Sequence, residues 1–166
     1  RRWNGASWEE LGSSGSGTGL STTSGNSSRP ALALDAVGNP VVAWRDHNSS
    51  GYQVYLKKWD GTAWQELGGS ASGSGISGST TNSETPVLAL DGSGNPMVAW
   101  KETVSGFSRI YLKNWNGSSW VELAGSATGD GVPSSSWGNP TDPSICVDSS
   151  GNPMVAWEDN ISGNRE

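Results

Sequence analysis

The chain has one cysteine, one histidine and one phenylalanine in 166 residues. A single thiol permits neither an intrachain disulfide nor a thiolate metal cluster, so secretion is neither required nor excluded. A single histidine gives no zinc-ligand set and no basis for a Ser-His-Asp arrangement. Basic residues are outnumbered by acidic ones, 10 to 16, for a net charge of −6. That balance argues against a nucleic-acid partner, because phosphate binding needs basic patches. No apolar run approaches about 18 residues, the length a membrane-spanning helix requires. No stretch shows the 3.6-residue apolar period of an amphipathic helix.

What is abundant is glycine, with 24 residues, and tryptophan, with 10. Their placement is periodic. Pro30 and Pro86, Trp44 and Trp100, and Trp59 and Trp115 stand 56 positions apart. The segment from Pro30 to Leu67 returns as Pro86 to Leu123, and its first part returns as Pro143 to Trp157. Its last part stands ahead of it, as Trp3 to Leu11. A period of this length is the mark of a repeat architecture, in which each unit is stabilised by its neighbours. The division is a partial unit at 1–12, full units at 30–67 and 86–123, and a partial unit at 143–166, all in one repeat domain.

Within the first full unit, Ala31 to Leu34 reads as a strand and Asp35 to Pro40 as a turn, with Asp35 capping backbone N–H groups. Val41 to Trp44 reads as a second strand and Arg45 to Gly51 as a polar loop. Gln53 to Trp59 reads as a third strand. Asp60-Gly61 is a hairpin turn, and Ala63 to Leu67 is the fourth strand. A Gly/Ser/Thr loop of about 18 residues then leads to the next unit.

The first two strands are apolar on both faces, as doubly covered strands are. Leu32 and Leu34 lie on one face, with the small Ala31 and Ala33 on the other. Cys146 takes the place of Ala33 and Ala89, which predicts a small buried hydrophobe. The pattern predicts an all-β fold, a β-propeller of four-stranded antiparallel blades packed face to face. Nine of the ten Trp then belong to the framework, and Trp137 stands outside the pattern.

Rings of about four to eight blades are typical. About three per chain leads to the expectation of a homodimer forming one six-bladed ring. One copy's inner strands and the other's outer strands would share a blade. The alternative is a portion of a longer propeller.

The segments Leu34 to Trp44 and Trp59 to Trp64, with their recurrences, resemble bacterial β-propeller repeats. The Asp-x-x-Gly-Asn turn is similar to that of NHL-like repeats and only loosely to the Asp-box. Such propellers bind, scaffold or catalyse, so the resemblance implies a fold and not one function.

In an up-and-down blade, the loop between strands two and three shares a face with the long inter-blade loop. Candidate ligand-binding residues on that variable face are Arg45, Asp46, His47, Lys101, Glu102, Glu158, Asp159 and Trp137. An off-pattern Trp could stack on a sugar or anchor a peptide. No catalytic residue, metal ligand or cofactor is assigned. Asp35, Asp91 and Asp148 each offer one carboxylate, where calcium prefers six to eight oxygens. The expected function is a non-catalytic binding module for a glycan or peptide, with no nucleic acid and no membrane as partner. A structural self-assembly segment is the alternative, and a glycoside-cleaving enzyme a third reading, which would need converging carboxylates.

Overall fold

The computed structural model describes residues 1–23, 25–132 and 138–159. Among them every regular element is a strand. A short hairpin of β1 (Arg2–Trp3) and β2 (Trp8–Glu9) comes first. The first four-stranded sheet follows, made of β3 (Ser28–Leu34), β4 (Pro40–Asn48), β5 (Gly51–Trp59) and β6 (Trp64–Gln65). The second contains β7 (Ser83–Leu90), β8 (Pro96–Val104), β9 (Phe107–Trp115) and β10 (Trp120–Val121). A two-stranded sheet of β11 (Thr141–Val147) and β12 (Pro153–Glu158) completes the series. In both full sheets the spatial order follows the chain order, each strand antiparallel to the next.

The sheets stack face to face, with the first strands β3, β7 and β11 adjacent in turn. This is β-propeller packing. One core joins Val41, Ala43, Val54 and Leu56 of the first sheet to Leu88, Leu90, Val98 and Trp100 of the second. Another joins Ala99, Ile110 and Leu112 of the second to Ile145, Val155 and Trp157 beyond. Leu32 and Leu34 do lie opposite Ala31 and Ala33, since their equivalents Leu88 and Val87 enter different cores.

The Asp turns are built as expected. Asp35 Oδ1 accepts the backbone N–H groups of Val37 and Asn39, and Asp91 and Asp148 repeat the pattern. Backbone hydrogen bonds, with Asn39 foremost for Asp35 and Asn152 for Asp148, hold both carboxyls below the usual range.

Four expectations are corrected. The first strand begins at Ser28, ahead of Ala31, and is interrupted by a bulge at Arg29, where φ is 55°. Bulges with φ of 45° and 48° recur at Thr85 and Asp142, each before a proline that cannot donate to the ladder. The polar segment 45–51 is mostly strand: β4 runs to Asn48, and Ser49 and Ser50 alone form the turn. Polar residues continue the ladder because β4 and β5 pair out to Asn48 and Gly51. The fourth strand is only two residues long, at Trp64–Gln65. Cys146 is exposed. It lies with Ser144, Met154 and Ala156 on the β11–β12 face that no described residue covers.

Candidate functional site

The ends of the second strands hold the predicted site residues. Asp46, Glu102 and Asp159 occupy equivalent positions, two residues after Trp44, Trp100 and Trp157. The expectation placed them in open loops. Asp46 and Glu102 are instead strand residues, 1% and 5% exposed. A buried carboxylate needs several donors to replace its lost water. The donors here come from the Gly/Ser/Thr loop leading into the same sheet.

Glu102 shows this most fully. It accepts hydrogen bonds from the hydroxyls of Ser79, Thr81 (2.8 Å) and Ser83 (3.1 Å), and from Trp100 Nε1 at 3.0 Å. Asp46 accepts from the hydroxyls of Thr23 and Ser27, the latter at 2.9 Å. Asp159 accepts the backbone N–H of Asn139 at 2.8 Å. Each carboxylate therefore adds a polar anchor to its loop, beside the apolar anchors that Ile76 and Val132 give to two of them. Hydroxyl-rich loops are suited to this, because Ser and Thr each supply one donor.

Arg45 and Lys101 occupy the position before these carboxylates. Both reach Glu84, Arg45 Nη1 at 2.9 Å to Oε1 and Lys101 Nζ at 3.1 Å to Oε2. Arg45 also donates to Ser28 Oγ at 2.9 Å. Its guanidinium lies 4.3 Å from the centre of the Tyr52 ring. His47 is exposed and meets the same ring edge-on, the ring centres 5.0 Å apart. Arg45, Tyr52 and His47 thus form one aromatic and cationic cluster at the edge of the variable face. Glu158 is exposed at the end of β12, paired in register with Thr141. Trp137 lies outside the described residues.

The structure brings together Arg45, Lys101 and Glu84. It brings Arg45 to His47 through Tyr52. It keeps Asp46 apart from Glu102, each inside its own loop anchor. Glu84 and Tyr52 left no clear mark in the sequence, because Glu84 has Ser28 at its equivalent position and Tyr52 has Ser108. Among the described residues no group of three or more His, Cys, Asp or Glu could hold a metal ion. Among the described residues no helix is long and apolar enough to cross a membrane.

A cavity lies elsewhere, on the side of the first full sheet that faces away from the second. It has a volume of about 490 Å³ and is lined by Leu11, Leu20, Leu32, Leu34, Val42 and Trp64, among others. Leu32 and Leu34 are 66% and 61% exposed there. Their counterparts Leu88 and Leu90 pack against the first sheet.

No family model and no curated protein matches the sequence. Among solved structures, the chain is similar to a fucose lectin from Kordia zhangzhouensis in complex with methyl-fucoside. The identity is 16%, over 81% of this chain and 86% of that one, with a TM-score of 0.48. It is also similar to a structure from the GH130 family of mannoside phosphorylases, which contains glycoside hydrolases that target beta-1,2 mannosidic linkages in Candida mannan. There the identity is 15%, over 86% of this chain and 48% of that one, with a TM-score of 0.47.

Proposed function

We propose that this chain is a non-catalytic β-propeller binding module that builds its ring by self-association. The β11–β12 half-sheet of one copy would combine with the β1–β2 hairpin of another. The observation that carries this reading is the pair of uncovered sheet faces. Leu32, Leu34 and Val42 line a cavity on one side, and Cys146 and Met154 are exposed on the other. In the repeat these two kinds of face meet each other, as Ala99 and Leu112 meet Ile145 and Val155. Two copies would give a six-bladed ring, within the usual range. Native mass spectrometry tests the reading. A particle of twice 17.3 kDa is expected, and a monomer at every concentration overturns it.

The absence of catalysis in this proposal is supported by the engagement of the candidate carboxylates. Glu102 and Asp46 hold loops, and Arg45 and Lys101 are paired to Glu84.

A second reading, glycan binding on the variable face, is favoured by the Arg45–Tyr52–His47 cluster. An aromatic ring flanked by hydrogen-bonding side chains offers an apolar platform with polar neighbours, the combination that orients a polar ligand with apolar faces. A glycan array probed with the wild type and with Tyr52→Ala tests it. Loss of the signal in the variant supports the reading, and no bound glycan or an unchanged pattern rejects it.

A further inference from the structure

We infer that Trp8 of one copy seats in a socket formed by Leu112, Leu123, Ala124, Ser126, Val132 and Val155 of another, donating its indole N–H to the Leu123 carbonyl. This rests on the self-association reading and names the contact that would carry it.

The chain contains two filled examples of the same joint. Trp64 Nε1 donates to the Leu11 carbonyl at 2.8 Å. Trp120 Nε1, 56 residues on, donates to the Leu67 carbonyl at 2.8 Å. In each case a Trp opening a fourth strand fastens its sheet to the end of the preceding fourth strand. Each is paired with the Trp that ends its third strand. The ring centres are 5.5 Å apart for Trp59–Trp64 and 5.8 Å for Trp115–Trp120.

The third pair, Trp3–Trp8, already has this form, with centres 5.7 Å apart and planes at 58°. Yet Trp8 is 63% exposed. The third socket has the same rim, and no Trp is among the described residues that line it. It is a cavity of about 240 Å³. Its rim is built like the second: Leu67 N–H donates to Ser70 Oγ and Ser70 N–H to the Leu67 carbonyl. Leu123 and Ser126 repeat both bonds. A carbonyl has two lone pairs. The Leu67 oxygen takes Ser70 N–H and Trp120, and the Leu123 oxygen takes Ser126 N–H. The socket therefore continues the series of inter-sheet joints in the chain, and a second copy carries the matching knob.

Ala124 is the one departure. Its equivalents are Gly12 and Gly68, all three with φ between 50° and 59°. A Cβ at Gly68 would lie 2.6 Å from the Trp115 ring, but one at Gly12 would lie 3.3 Å from Trp59. The joint between copies is thus expected to adopt the looser geometry of the first, with Trp3 in the place of Trp59.

The test is sedimentation of the wild type, Trp8→Phe and Ala124→Trp over a range of concentrations, with thermal unfolding as a check on the fold. Trp8 and Ala124 are exposed, so both variants should unfold as the isolated wild-type chain does. Trp8→Phe, which removes one hydrogen bond at each of the two joints of the closed ring, is expected to weaken the dimer roughly 30-fold. Ala124→Trp, which fills the socket from within, is expected to leave monomers. A wild type that never dimerises overturns self-association itself. A wild type that dimerises, with both variants matching its dissociation constant, overturns the Trp8 socket and leaves self-association standing.

Discussion

The indole N–H of Trp100 donates to Glu102 Oε2 at 3.0 Å, but the equivalent Trp44 has no acceptor. Asp46, which stands in the place of Glu102, also has one buried oxygen without a partner. Both acids stand two residues after their Trp and accept from the equivalent hydroxyls of Ser27 and Ser83. The difference is one methylene: the longer side chain spans two residues along β8 to its own Trp, and the shorter one does not. Asp46→Glu is therefore expected to raise stability by about 1 kcal/mol, and Glu102→Asp to lower it by a similar amount. Urea unfolding should show the two midpoints moving in opposite directions at constant slope. Equal shifts of one sign would reject the account.

Removing the anchor altogether should cost more. Glu102→Ala would leave three hydroxyls and an indole N–H facing a vacated space. A loss of roughly 2–4 kcal/mol is expected. Amide exchange across residues 79–83 should accelerate well beyond the global change, because the loop is tied there. Uniform exchange across the chain would mean that the carboxylate does not hold the loop.

Backbone geometry makes a graded prediction at the three equivalent positions 12, 68 and 124. Gly68→Ala should destabilise by roughly 1–3 kcal/mol, since its Cβ would strike the Trp115 ring at 2.6 Å in a left-handed conformation. Gly12→Ala should cost less, with 3.3 Å of clearance. Ala124→Gly should stabilise by about 0.5–1 kcal/mol by relieving a φ of 50°. Thermal melts of the three variants would check the order, and a reversed ranking of positions 12 and 68 would count against the packing described.

Acid sensitivity follows from Asp60. Backbone N–H groups of Ala63 and Thr62, then the Thr62 hydroxyl and the Gln65 amide, hold its carboxyl well below the usual range. With a depressed folded-state pKa, its contribution is fully present above the ordinary value near 3.9 and fades as pH falls through the folded one. Asn4 and Asn116 stand at equivalent positions and accept the same backbone bonds through Oδ1. Asp60→Asn should therefore keep the turn at pH 7 and flatten the loss of stability between about pH 4 and pH 2. An unchanged acid profile would show that this turn does not contribute to it.

The turns and strand faces were legible because they are local. Asp35 can reach only backbone groups a few residues on, and Leu32 and Ala33 must point to opposite faces of a pleated strand. The candidate site was less legible. Arg45, Asp46 and His47 read as a loop by polarity, and they extend β4 because β5 offers a ladder partner for each. Polarity at Asp46 indicated solvent, but a folded-back run of Thr and Ser replaced that solvent. Cys146 failed in the other direction, since its burial depends on a neighbouring sheet and not on its own strand.

By itself the sequence determined the period, the antiparallel order of strands within a unit and the Asp and Asn turns. These depend on residues within about 56 positions of one another and on backbone rules that hold for any chain. The tertiary structure alone decided which side chains the hydroxyl-rich loops engage, that Glu84 bridges Arg45 and Lys101, and that Trp64 and Trp120 are fastened while Trp8 is exposed. Those outcomes depend on which sheet lies against which, and identical residues in equivalent places differ once one of them has a neighbour and the other does not.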